Sequence, residues 1–91
     1  MSPKELRTFR TSLQLSQVQF AQVFGLSWPT IGRWERASHS IGPYHEALFG
    51  KIESSGRKTL TAEILNRFGP IEALYYLLGA PYKSSIERGH G

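Results

Sequence analysis

Ninety-one residues, 40% of them apolar and 20% charged, amount to one small globular domain, which excludes separate catalytic and cofactor-binding domains. The chain has neither cysteine nor aspartate, which removes disulfides, thiolate zinc sites, aspartate-built metal sites and Asp-assisted triads, and makes dimerisation the expected source of extra stability. The net charge of +4 suits a polyanion, but the surplus is spread along the whole chain and forms no basic block, so a nucleic-acid face has to come from folding.

In chain order, Ser2, Pro3 and Glu5 have the form of a capping box with proline at the first helical position, which predicts a helix over residues 3–13 with Leu6, Phe9, Arg10 and Leu13 on its buried stripe. Ser16 and Gln19 form a second box. It opens a short helix in which Phe20, Ala21 and Phe24 share a face, and Gly25 stops that helix. Ser27 can cap a third helix with Pro29 in its first turn; Trp28, preceding proline, is biased away from α backbone, so the boundary falls at Trp28 or one residue later.

Residues 37–42 read as a polar loop. Pro43 opens a fourth helix with Tyr44, Leu48 and Ile52 on one side, closed by Ser54-Ser55-Gly56. Thr61 can cap a fifth helix carrying Ile64, Leu65 and Phe68. The Gly69-Pro70 pair ends it and starts a sixth through Ile71, Leu74, Tyr75 and Leu78. Gly79 and Pro81 end regular structure, which leaves 1–79 as the domain and 80–91 as a flexible tail. There is no strand pattern and no internal repeat, so the expected fold class is all-α with five or six helices. With no signal-like apolar core and no run of membrane-spanning length, a soluble cytoplasmic protein is expected, with no membrane partner.

The second and third helices carry the functional signal. The turn between them needs a positive-φ residue, supplied by Gly25, and an apolar plug, supplied by Leu26, while the small Ala21 lets the helices approach. Counting about 100° per residue from Trp28, Ile31 and Trp34 fall on one side of the third helix, and Pro29, Gly32, Arg33 and Arg36 fall on the other. One face is apolar and the opposite one is cationic.

Leu15-Ser16-Gln17, Phe20-Ala21, Gly25-Leu26-Ser27, Thr30-Ile31 and Trp34-Glu35 resemble the Cro/CI-type, or XRE-type, helix-turn-helix family over roughly residues 4–55. The resemblance implies a lambda-repressor-like domain whose third helix enters the DNA major groove, in a dimeric transcriptional repressor that uses no cofactor. By the same resemblance Gln17 contacts a phosphate, and Trp28, Pro29, Gly32 and Arg33 are the outward positions of the recognition helix. Arg33 alone among these has the planar donor fork that holds guanine O6 and N7 together. Trp28 can pack on a thymine methyl or a sugar, and Gly32 lets the backbone approach the groove wall. Thr30, Arg36, Ser38, His39 and Ser40 are expected at DNA phosphates. Arg10 and Glu35 match an ion pair buried between the first and third helices. The sequence departs from the family pattern at Ala37, where glycine usually ends the recognition helix, at Pro29, which offers no donor in an outward position, and at the bulky Trp34.

Plainer roles stand beside these. Trp28 can fold back over Gly32 or the Pro29 ring instead of reading DNA, and Arg10 and Glu35 can be two unconnected surface charges. Tyr44, Phe49 and Phe68 read as core or interface residues. Ile71, Leu74, Tyr75 and Leu78 are either the lid of the core or the seam of a homodimer. His39, His45 and His90 have spacings that fit no helical ligand pair, so they read as surface residues and no metal is expected. Gly56-Arg57-Lys58-Thr59 lacks the upstream glycine and strand of a phosphate loop. No acid–base pair presents itself, so an enzyme is not expected. Two alternatives remain: the antitoxin of a toxin–antitoxin operon, for which only residues 82–91 offer a toxin-binding segment, and a protein-interaction adaptor on a helix-turn-helix scaffold. Salt separates the adaptor from a DNA binder, because phosphate neutralisation makes DNA affinity fall steeply with salt.

Overall fold

The two capping boxes form as the sequence predicts. Ser2 Oγ accepts the Glu5 N–H at 3.1 Å while the Glu5 carboxylate accepts the Ser2 N–H at 2.7 Å, opening helix α1 over Pro3–Ser12. Ser16 and Gln19 repeat the exchange at 3.1 and 2.9 Å, opening α2 over Gln17–Phe24. The computed structural model describes residues 1–56 and 60–79. It continues with α3 (Trp28–Glu35), α4 (Pro43–Ser55), α5 (Thr61–Phe68) and α6 (Pro70–Leu78). The described residues contain no strand and make a compact all-α domain of six helices. None of these helices is long and apolar enough to cross a membrane. The Arg57–Thr59 part of the rejected phosphate loop, the expected tail and His90 lie outside the described residues.

Ser27 precedes α3 and Trp28 is its first residue, the earlier of the two expected boundaries, so the pre-proline bias does not delay that helix; the start of α5 differs from expectation. Thr61 is the first helical residue of α5 rather than its cap, which is Leu60, and Thr61 is fully buried.

The core is a ring cluster built from four helices. Phe9 of α1, Phe20 and Phe24 of α2 and Phe49 of α4 meet with centroid separations between 4.8 and 5.9 Å, and Trp34 of α3 reaches Phe49 at 6.3 Å. Such tilted and edge-on pairs add about 0.5–1.5 kcal/mol each beyond the area they bury. Leu6, Leu13, Ile31, Ile52 and Leu77 fill the space around the rings.

The phase of α4 differs from the expected one. Phe49 and Ile52 point inward and Leu48 is half-buried, whereas Tyr44 is 73% exposed. The inward stripe runs through His45, Phe49 and Ile52, at spacings of four and three residues, and Tyr44 lies one position off it. His45 is accordingly no plain surface residue. It is half-buried, with its ring 5.5 Å from Trp34, 5.0 Å from Tyr44 and 6.0 Å from Phe49.

After α4, α5 folds onto α6 through Gly69, whose φ of +97° is a conformation L side chains rarely adopt. α6 packs against α2, α4 and α5 with Ala73 and Leu77 fully buried. The Leu60 N–H donates to Tyr76 Oη at 3.2 Å and ties the start of α5 to the middle of α6. The stripe expected on α6 divides: Leu74 and Leu78 are half-buried against the core, while Ile71, 66% exposed, and Tyr75 face solvent. Phe68 and Leu60 are also exposed.

Candidate nucleic-acid interface

The connection between α2 and α3 is closed by backbone geometry. Gly25 takes a left-handed φ of +68°, and the Leu26 N–H returns to Ala21 O at 2.9 Å, which reverses the chain within one turn. Leu26 is half-buried against the core and Ala21 is buried, so α2 and α3 pack directly on each other. The Ser27 hydroxyl makes no cap on a backbone N–H. It shares a 2.8 Å hydrogen bond with the Thr30 hydroxyl, so the group expected at a phosphate is engaged within the first turn of α3.

That turn sets the rotation of α3. Ile31, Trp34 and Glu35 are buried, while Arg33 and Arg36 are exposed and Trp28 keeps 56% of its surface in solvent. Pro29 and Thr30 are half-buried at the helix start. The inward residues join the ring cluster, and the outward ones form a short cationic face carrying one indole.

Comparison of the chain with protein-family models, curated proteins and solved structures gives no match.

Behind the face lies a buried carboxylate that fixes three elements. Glu35, its side chain only 1% exposed, accepts from Arg10 Nε at 2.6 Å and Nη2 at 3.2 Å, a bidentate pair between α1 and α3. Arg10 Nη1 also donates to Leu15 O at 2.9 Å, which holds the α1–α2 connection in the same site. The exposed Arg7 approaches Glu35 Oε1 at 3.5 Å, and Gln17 Nε2 donates to that oxygen at 3.1 Å. Burial pushes the Glu35 carboxyl upward, but the hydrogen bonds from Arg10 and Gln17, the Arg10 charge and the contact with Arg7 outweigh it and hold the group below the ordinary glutamate value. Arg10 and Glu35 are therefore a connected pair. Two arginines on one glutamate leave the hub with a net positive charge.

Two expected site residues sit differently from their sequence assignment. The Gln17 carboxamide, assigned to a phosphate, donates one of its two N–H groups inward to Glu35, and Gln17 is the first residue of α2, whose first-turn backbone N–H groups have no intrahelical partner. Gly32, assigned to an open helix face, is buried. A Cβ built there would lie 3.0 Å from Arg36 Nη1 and 3.8 Å from Arg36 Cζ, so the Arg36 side chain covers it.

After α3 the chain turns through Ala37, where φ is +62°. The Ala37 N–H bonds Trp34 O at 3.3 Å and the Ser38 N–H bonds Arg33 O at 2.9 Å, a double closure of the helix end. Glycine is the usual residue for this backbone, and alanine adopts it here. Ser38, His39 and Ser40 are exposed. His39 and Ser40 line a hollow of about 330 Å³ with Pro3, Trp34, Ile41 and Glu46, so this part of the loop reaches back toward α1 and α4.

Sequence reading missed Arg7, the inward turn of Gln17 and the contact of Arg36 with Gly32. Signals existed for the first and third: Arg7 and Arg10 are three residues apart on α1, and Gly32 and Arg36 are four apart, both spacings that put residues on one helix face. No spacing announces which way a glutamine amide turns. The site offers exposed cationic donors and an exposed ring. Among the described residues no cluster of three or more His, Cys, Asp or Glu side chains is placed to hold a metal.

Proposed function

We propose that this chain is a sequence-specific double-stranded DNA-binding regulator of the helix-turn-helix, lambda-repressor-like kind, acting as a repressor that binds a palindromic operator as a homodimer. The observation that carries the reading is the rotation of α3: directly after a glycine-closed turn it buries Ile31 and Trp34 and holds Arg33, Arg36 and Trp28 in solvent. A helix carrying cationic forks on its outer side fits the major groove, where a guanidinium can hold guanine O6 and N7. Arg33 is the base reader, and Trp28 packs on a thymine methyl or sugar. Arg36 and the backbone N–H at Gln17 hold neighbouring phosphates along one wall of the groove, which sets register without reading sequence. Ser38 extends the backbone contacts. The Glu35 hub supports this role by fixing α1, α2 and α3 against one another, so the face is preorganised.

The exposed Ile71, Tyr75, Phe68 and Leu60 supply apolar surface for the second copy. Two-fold symmetry then places half-site centres about 10 base pairs apart. The test begins with selection of duplexes from a randomised pool, followed by footprinting. Arg33→Ala is expected to weaken the selected duplex by about 1–3 kcal/mol and to relax preference at one guanine per half-site. Equal losses on selected and random duplexes would overturn the reading role of Arg33. Selection of no duplex at all would overturn the function.

A further inference from the structure

We infer that Gly32 is a seat for the Arg36 guanidinium, and that this seat, rather than approach of the Gly32 backbone to DNA, is what Gly32 contributes to duplex binding; the role in binding rests on the DNA-binding reading above. Glycine in a helix interior is disfavoured relative to alanine, and Gly32 lies in the middle of the eight-residue α3. What occupies the place of its missing side chain is the end of Arg36. Helical side chains lean toward the N-terminus, so residue 36 lies over residue 32, and the Arg36 N–H closes on Gly32 O at 3.0 Å to fix that register. A Cβ at position 32 would meet Arg36 Nη1 at 3.0 Å, tighter than ordinary van der Waals contact, with Gln17 Oε1 3.9 Å from the same point. Gln17 Nε2 is committed to Glu35, so the glutamine turns its oxygen toward this seam.

Gly32 therefore leaves room for the guanidinium close against α3 on the side of Gln17, where a phosphate held by the first turn of α2 would adjoin α3. A cation already held in place loses less side-chain freedom when it binds. Gly32 acts through Arg36 and is a positioning residue.

The test is a double-mutant cycle of Gly32→Ala and Arg36→Ala, read by fluorescence anisotropy on a selected and an unrelated duplex and by thermal unfolding without DNA. Gly32→Ala is expected to weaken both duplexes by the same factor, about two- to tenfold, and to add no loss once Arg36 is alanine. Without DNA, alanine at 32 raises Tm more in the Arg36→Ala background than beside Arg36, because only there does it gain helix propensity without displacing the guanidinium. Unchanged binding by Gly32→Ala, or an equal loss in both backgrounds, overturns the binding role. Equal Tm changes in both backgrounds overturn the seat. If the wild-type chain binds no duplex, the DNA-binding reading fails, and the Tm comparison still decides whether the seat exists.

Discussion

At the scale of single residues the Glu35 hub is the most consequential feature, because it couples stability to pH with a definite sign. The native carboxyl titrates below its ordinary value, so around pH 4 the unfolded chain binds more protons at this position than the folded one. The contribution of Glu35 is fully present above the unfolded value of about 4.3 and is lost as pH falls through the lower native value. Denaturant titrations across pH 3–7 should show stability falling on the acid side, and Glu35→Gln should flatten that limb. A variant that keeps the full wild-type acid limb would show that other groups carry it. Ala37 is a second point of leverage. At φ +62° alanine pays a cost glycine does not, partly offset by the greater freedom of glycine in the unfolded chain. Ala37→Gly is expected to stabilise by about 0.5–1 kcal/mol in chemical denaturation, and any loss of stability would contradict the strain.

Among the elements, α4 shows where periodicity chose the wrong side chain. Phe49 is fully buried against Phe9, Phe20, Phe24 and Trp34, while Tyr44 on the same helix is largely exposed. Phe49→Ala should cost about 3–5 kcal/mol, and Tyr44→Ala should stay within about 0.5 kcal/mol, both read from denaturant midpoints. Comparable costs for the two would place the core elsewhere. The starts of α1 and α2 were legible because Ser-x-x-Glu and Ser-x-x-Gln leave a local hydrogen-bonding signature, and the rotation of α3 because its faces differ in chemistry. α4 offers two competing aromatic phases, so only packing chooses between them. α6 is apolar nearly all round, and Ala73 and Leu77 went unnoticed beside the larger Ile71 and Tyr75. The site was legible to the same degree: the outward arginines follow from helical phase and the cover of Arg36 over Gly32 from their spacing of four, whereas the inward turn of Gln17 depends on side chains meeting across α1, α2 and α3.

For the whole molecule, one ring-filled core supports a cationic face on α3 and, through α6, an exposed apolar surface near the other end of the chain. Phosphate neutralisation by Arg36 and its equivalent in the second copy would make affinity fall with salt. The most direct measurement of the central claim is a map of backbone amide shifts as a selected duplex is titrated into the isotopically labelled chain. Duplex binding through α3 predicts changes concentrated at Gln17, Trp28, Arg33, Arg36 and Ser38, with fluorescence of the exposed Trp28 moving in step and the amides of Glu53 and Glu63 still. Shifts confined to α5 and α6, or none at a saturating concentration of duplex, would contradict it.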